Sequence, residues 1–380
     1  MSILIVGSDS NAYSLAKYFR QKNPDEMIFV ASGTERTSDY AENIDISEND
    51  TEELVEFAKA NEIALTVVTS LTAIQNDIAE AFNKAELPIL APTADAATVA
   101  IYKSAAKKTM YRLQIPTMKF GIFERENQAV AYASNARKAL VIKQDTHIPG
   151  DRPYFATSFA KAKTAIEKAA ISPENKIIIE DYIDAKEVSL YFLTDGYSVF
   201  PIGSCMSNED YSYPLTVFYP DNCISKELEE KILKETVYPL IDDISERAGV
   251  YCGILGIDIF VKDDIYNVIE FNPFFKKMHL QAILPMIKTD LYGLFLSAVY
   301  GSLSDEYSLV EFDNGHTFSH IVEKISDEAL KALGDDDLDV SYTGMSHVIL
   351  TQKAKTLKRA KEILLENIEF LKDYEAENEQ

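Results

Sequence analysis

The chain has 380 residues, is 47% hydrophobic and 26% charged, and carries a formal net charge of −24 at pH 7. That length accommodates two or three packed domains. The acidic balance argues against non-specific binding to nucleic acid or an anionic membrane, while leaving room for a local basic pocket. The three cysteines, Cys205, Cys223 and Cys252, follow no CxxC spacing, so a reducing compartment is expected rather than a disulfide framework. The N-terminal stretch MSILIVGSDS has no basic n-region, and no apolar run approaches bilayer length, so a cytoplasmic location is expected.

In chain order, SILIVG, MIFVAS, IALTVVTS and LPILAP read as buried strands. Between them NAYSLAKYFRQK, TEELVEFAKANE and LTAIQNDIAEAFNKAE read as helices. This alternation predicts a doubly wound parallel sheet in α/β style, with ligands at the carboxyl ends of its strands. Those ends carry Gly7 to Asn11 and Thr69-Ser70. TADAATVAIYKSAAKKTMYRLQ then predicts one long helix. It is followed by the strand ALVIKQD, the helix FAKAKTAIEKAA, and the strands KIIIEDYI and KEVSLYFLTDG. A polar, Tyr-rich stretch at 207–222 precedes a long helix, SKELEEKILKETVYPLIDDISERAG. The hairpin GILGIDIFVKDDIYNVIEFN and an apolar helix from His279 to about 303 close this α+β section. HTFSHIVEKIS, SHVILTQKAK and TLKRAKEILLENIEFLKD form a last, small α/β unit. The expected domains are 1–100, 101–301 and 302–380.

The hairpin raises the chemical question. Glu270 and Asn272 share one face of an otherwise apolar strand, and Asp258 interrupts the strand before it. Two carboxylates and an amide oxygen at a strand end make a hard-oxygen set suited to Mg²⁺ bridging to phosphates; a capping acid and a turn residue is the plainer reading. Lys143 ends the strand ALVIKQD, and Lys103 sits in a lysine-rich helix; each is either a solvated side chain or a phosphate ligand. IIIEDYIDAKEVSL suits a linker between two β-layers, where a base meets backbone groups near Asp181–Ile183 and Glu187 accepts from ribose. GSDSNAYSLA opens a helix after a strand but is not GxGxxG, which weakens a dinucleotide reading.

Taken in order, Lys103, Lys143, Glu180-Asp181-Tyr182-Ile183, Glu187, Asp258, Glu270 and Asn272 resemble an ATP-grasp enzyme. With LPILAPTADAA, YRLQIPT and SHVILTQKAKTLKRAKE, nearly the whole chain resembles the phosphoribosylamine–glycine ligase (glycinamide ribonucleotide synthetase) branch. The resemblance implies a pre-ATP-grasp domain, an ATP-grasp domain and a small C-terminal domain. It implies ATP and Mg²⁺ or Mn²⁺, with Lys103 and Lys143 on phosphates, Glu180 to Ile183 on adenine, Glu187 on ribose, and Glu270 and Asn272 on metal. Asp258 is more similar to the acidic ligand of other branches, such as D-alanine–D-alanine ligase. The implied reaction forms an acyl phosphate from a carboxylate and ATP, and an amine then displaces phosphate.

The departures are selective. The family's GxxxGKGV lid is here Thr146 to Pro153, where Gly150 survives, Asp151-Arg152 replace a Lys-Gly pair, and Arg152 is the expected catalytic cation while Asp151 opposes phosphate. Its GGREH loop is Asp9-Ser10-Asn11-Ala12-Tyr13, its GPE-like loop is Thr69-Ser70-Leu71, and the Arg expected soon after EFN gives way to Pro273-Phe274-Phe275-Lys276-Lys277. The adenosine and metal positions persist while the substrate positions change. The expectation is a carbon–nitrogen ligase with an altered carboxylate and amine, acting as a monomer or homodimer without nucleic acid or membrane. A non-catalytic nucleotide-binding paralogue and a dinucleotide-dependent enzyme remain as alternatives.

Overall fold

The computed structural model describes residues 2–145, 153–169, 171–207, 216–220, 223–323, 325–335, 337–343 and 347–378. Arg152, the rest of the expected lid up to Thr146, and most of the Tyr-rich stretch lie outside the described residues.

The N-terminal layer comprises β1 (Ser2–Val6), α1 (Ser10–Lys22), β2 (Met27–Ala31), β3 (Glu42–Ile44), α2 (Thr51–Ala60), β4 (Leu65–Val68), α3 (Leu71–Gln75), α4 (Ile78–Lys84) and β5 (Ile89–Leu90). Its strands are all parallel, in the order β3-β2-β1-β4-β5. Ile3 to Val6 are fully buried because helices cover both faces, which is why β1 reads as a continuous apolar run. The helix predicted over 71–86 is two helices. Asp77 takes the left-handed conformation at φ 57°, which Asn and Asp tolerate better than other residues. Strand β3 is short and polar, and its composition gave no strand signal.

The helix predicted from Thr93 to Gln114 is also broken, into α5 (Ala94–Ile101) and α6 (Lys103–Arg112). Tyr102 between them is extended. The cause is tertiary: Asp145 accepts from the Ser104 amide and hydroxyl, both at 2.6 Å, and its carbonyl accepts from Lys103 N–H. A carboxylate just past the end of a strand thus caps a new helix start. The antiparallel sheet that follows contains β6 (Phe120–Phe123), β7 (Leu140–Gln144), β8 (Tyr154–Ala156) and β9 (Ile177–Asp181), ordered β6-β9-β7-β8. It is backed by α7 (Glu126–Ser134) and α8 (Phe159–Lys168).

The large sheet starts with β10 (Lys186–Thr194), β11 (Val199–Ser207) and β12 (Thr216–Tyr219). Helices α9 (Lys226–Ile232) and α10 (Tyr238–Ala248) lead to β13 (Gly253–Lys262) and β14 (Ile265–Asn272). A π-helical turn at Leu233–Val237 joins those helices, just before Pro239, which cannot donate a helical hydrogen bond. The apolar helix predicted after His279 is α11 (His279–Ile283) and α12 (Leu291–Val299), parted by a 3-10 turn containing Pro285. The chain continues through α13 (Leu303–Glu306), β15 (His316–Glu323), α14 (Asp327–Leu333), β16 (Leu338–Thr343), β17 (His347–Ala354) and α15 (Leu357–Asn378). The order β14-β13-β10-β11-β12-β15-β17-β16 carries the C-terminal strands into one eight-stranded sheet.

One face of this sheet, through Val188, Leu190, Ile257 and Ile259, packs on α5, α6, α9 and α10. The other, through Tyr191, Leu193 and Ile254, packs on α11, α12 and the N-terminal layer. Beyond that second core the same face turns polar at Glu187, Ser189, Asp258 and Glu270. The two antiparallel sheets are joined where Val268 N–H donates to the Pro116 carbonyl and the Thr117 hydroxyl donates to the Val268 carbonyl, both at 2.7 Å.

Gly7 ends β1 at φ 147°, and a Cβ there would lie 2.2 Å from Thr69 Oγ1. Gly7→Ala should cost roughly 1–3 kcal/mol by forcing the loops after β1 and β4 apart, read as a lowered urea midpoint with an unchanged m-value.

Candidate active site

The cleft between the two antiparallel sheets is organised by Glu180, the penultimate residue of β9. Its side chain is 1% exposed. Lys107 Nζ, from α6, lies 2.7 Å from Oε1, and Lys143 Nζ, from β7, lies 3.0 Å from Oε2. Lys107 also donates to Thr117 Oγ1 at 2.8 Å, tying the triad to the segment that joins the sheets. Burial opposes the charge on Glu180, but Lys143 and Lys107 outweigh it and hold the carboxyl below its ordinary value. Burial likewise opposes the charge on Lys143, and Glu180 with Glu270 raises its pKa above the usual lysine value. Lys107 is pulled down by burial, with the charge of Lys143 adding to the effect.

Facing this triad is an acidic row on the large sheet. Glu270, Asp258 and Ser189 are register neighbours across β14, β13 and β10, with a bulge after Asp258. Asp258 is 1% exposed and accepts from the Ser189 hydroxyl at one oxygen, and from Asn272 Nδ2 at 3.0 Å and Lys276 Nζ at 3.1 Å at the other. Burial pushes its carboxyl up to about 6 despite the adjacent Lys276. Lys276 Nζ also lies 3.0 Å from Glu187 Oε1. Burial opposes its charge, but Asp258, Glu187 and Glu270 hold the ammonium well above its ordinary value.

Beneath Lys276 runs a buried hydrogen-bonded chain. The Tyr191 hydroxyl accepts from Lys276 N–H at 3.1 Å and shares a hydrogen bond with His279 Nδ1 at 2.8 Å. His279 Nε2 meets the Ser207 hydroxyl at 3.0 Å. Burial, with the Lys276 charge adding to it, holds the His279 pKa well below its ordinary value.

The structure therefore brings Lys143, Glu180, Glu187, Asp258, Glu270 and Asn272 to one cleft. Asp181 ends β9, Tyr182 and Ile183 begin the crossover to β10, and the amides of Asp181 and Tyr182 bond to the carbonyls of Lys119 and Ala139. The Glu180 side chain is engaged by two lysines, so what it offers a base at this crossover is backbone. Lys103 sits at the first turn of α6 and forms no ion pair among the described residues; Lys107, one turn on, enters the cleft instead. Helical spacing puts both lysines on adjacent turns, so the sequence alone did not separate them. Lys276 was also missed, because its partners Glu187 and Asp258 lie on other strands and nothing local to Pro273–Lys277 marks it.

A divalent ion fits this donor set. Glu270 supplies a carboxylate, and Asn272, held through its Nδ2, presents Oδ1 as its acceptor end. Among the described residues no closed cage of three or more His, Cys, Asp or Glu side chains is formed. An ion here would complete its shell with phosphate oxygens and water.

The chain is similar to known proteins over most of its length. Residues 1–100 match the family described as phosphoribosylglycinamide synthetase, N domain, and residues 102–279 match its ATP-grasp (A) domain. The phosphoribosylamine–glycine ligase of Lactococcus lactis is 30% identical over 362 residues, covering 91% of this chain and 87% of the relative. That of Halalkalibacterium halodurans is 25% identical over 403 residues, covering 98% and 94%. The crystal structure of phosphoribosylamine–glycine ligase from Thermotoga maritima shares the fold at a TM-score of 0.79 and 14% identity, covering 97% of this chain and 96% of that one. So does the biotin carboxylase domain of Hydrogenobacter thermophilus 2-oxoglutarate carboxylase, in complex with MgADP, ADP and bicarbonate, with a TM-score of 0.74, 13% identity and coverage of 97% and 89%.

Fold and family match together define an ATP-grasp ligase of the class that joins a carboxylate to an amine. Within that class, the chain belongs to the phosphoribosylglycinamide synthetase family. No helix among the described residues is long and apolar enough to cross a membrane.

Glu180→Gln removes the shared partner of two buried ammonium groups and should cost about 3–5 kcal/mol of stability. The folded-state pKa of Glu180 is depressed, so its contribution is present above the ordinary value of 4.5 and is lost as pH falls through the folded value. Urea unfolding of both proteins from pH 7 to pH 3 should show the difference shrinking on the acid side.

Proposed function

We propose that this chain is an ATP-dependent carboxylate–amine ligase whose substrate pair differs from phosphoribosylamine and glycine. The observation that carries the reading is the opposition, across one cleft, of Lys107 and Lys143 to the acidic row of Asp258 and Glu270. Such an arrangement suits a polyanion held between ammonium groups on one side and a metal-bearing carboxylate on the other.

On this reading the adenine lies against the Asp181–Ile183 crossover and Glu187 accepts from the ribose hydroxyls. Lys143, with Lys107 behind it and Lys103 at the helix start, meets the phosphates. Glu270 and Asn272, with Asp258 beside them, hold Mg²⁺ or Mn²⁺, which when bound screens carboxylate from phosphate and polarises the phosphoryl oxygens. The lysines orient the γ-phosphoryl group towards the substrate carboxylate and stabilise charge as it transfers. Arg152, from the segment outside the described residues, is the candidate cation of the lid. No enzyme nucleophile is required. The Cys252 thiol is pushed up to about 12 by burial and is not a thiolate near neutral pH.

Residues 1–100 would supply the acceptor loops, 101–301 the nucleotide cleft, and 302–380 the outer part of the large sheet. The change of substrate is supported by the loop after β1. There Asn11 and Tyr13, neither of them basic, stand where the family places an arginine and a histidine, and Asp9 beside them caps α1 and accepts from the Thr69 hydroxyl at 2.9 Å. That loop suits an amine without a phosphate better than a phosphorylated sugar.

Magnesium with a non-hydrolysable ATP analogue at 100 times its dissociation constant should stabilise the wild type by about 2.7 kcal/mol. Most of that gain should vanish in Glu270→Gln, measured by thermal unfolding. ADP release should then require both a carboxylate and an amine, and glycine with phosphoribosylamine should be a poor pair. Nucleotide binding without turnover across a broad screen of carboxylates and amines would overturn the ligase reading. Efficient turnover of glycine with phosphoribosylamine would overturn the altered substrate.

A further inference from the structure

One cation in the cleft has no part in the nucleotide contacts described above. Lys276 follows Asn272 by four residues and enters the acidic row from its open side. Its Nζ lies 3.0 Å from Glu187 Oε1 and 3.1 Å from Asp258 Oδ2, and its side chain keeps 27% of its surface exposed. The backbone behind it is held on both sides. Lys276 N–H donates to the Tyr191 hydroxyl, which His279 fixes in turn. Asn11 Nδ2, from the N-terminal layer, donates to the Phe275 carbonyl at 3.0 Å. The stem therefore starts from a pinned root, and the ammonium is directed rather than free to leave.

Asp258 is correspondingly committed. One of its oxygens takes the Ser189 hydroxyl, and the other takes both Asn272 Nδ2 and Lys276 Nζ. A carboxylate offers about four lone-pair sites, and three of these are filled inside the fold. Its charge is neutralised at contact distance by an ammonium, and a divalent ion bound to the same oxygens would face that ammonium directly. Glu270, its register neighbour, lies on the edge strand β14 nearer the lysine pair, and both Lys107 and Lys143 feel its charge.

We propose that Lys276 sets the metal requirement of this site: its ammonium withdraws Asp258 from metal binding, so that the nucleotide is bound with a single divalent ion on Glu270 and Asn272. The inference rests on the nucleotide reading above. It makes the protein's own lysine a fixed positive charge at a position that a second ion would otherwise fill, with Glu187 completing its coordination by oxygen.

The test counts Mn²⁺ by electron paramagnetic resonance of the free ion, with a non-hydrolysable ATP analogue kept below the protein concentration so that all of it is bound. Wild type and K276R should bind one Mn²⁺ per nucleotide, and K276M should bind two. The second variant K276Q also removes the ammonium while keeping a hydrogen-bond donor towards Asp258, and it should also bind two, which guards against a folding defect in K276M. Two ions in the wild type, or one ion in both neutral variants, would overturn the role given to Lys276. If the wild type binds the analogue with two ions, the assignment of Lys276 fails and the nucleotide site stands. If it binds no analogue at all, the nucleotide reading fails first and takes this inference with it.

Discussion

A carboxylate withdrawn from water between two ammonium groups is the constraint on which the rest of this structure depends. Glu180 comes from β9, Lys143 from β7 and Lys107 from α6, and the last also touches the segment that joins the two antiparallel sheets. Burying any one of these charges alone would cost several kcal/mol, so each is tolerable only while the other two are in place. The triad thus fixes how α6 and the smaller sheet meet the edge of the larger one. Its position, rather than its contribution to stability, is what sets two ammonium groups opposite the acidic row of the large sheet.

The opposite wall of that space obeys the same charge logic with the signs reversed. Asp258 is accepted into the large sheet because Ser189, Asn272 and Lys276 each donate to it. Lys276 is in turn held by Glu187 and by a backbone that Tyr191 and His279 keep in place. Seen across the cleft, the charge of Glu270 acts on Lys107 and Lys143 of the opposite wall. The N-terminal layer takes part through Asn11, whose bond to the Phe275 carbonyl links the loop after β1 to the segment carrying Lys276. An acceptor bound near Asp9 and a nucleotide bound near Lys143 would therefore act on the same few residues.

Much of this was legible in the chain. The parallel layer followed from apolar runs of strand length alternating with amphipathic helices, and β1 to β5 obey that pattern except at the short, polar β3. The hairpin of β13 and β14 was legible because Asp258, Glu270 and Asn272 interrupt strongly apolar strands. Where the reading failed, it failed at breaks. The helix over 93–114 is cut because Asp145, 41 residues away in sequence, caps Ser104. The helix over 71–86 is cut at Asp77, where a polar residue accepts a left-handed turn. Neither break carries a glycine or proline, the residues by which a sequence usually announces one.

The same division separates the cleft's residues. Sequence by itself determined the family, the parallel layer, and the acids and amide of the hairpin, because these depend on local periodicity and on residue types placed where apolar ones are expected. Only the tertiary structure decided that Lys107 rather than Lys103 meets Glu180, and that Lys276 closes on Asp258 and Glu187. Lysines carry no local signal of burial: their long stems reach partners far away in the chain, and which one is desolvated depends on where an opposite charge waits in the folded protein.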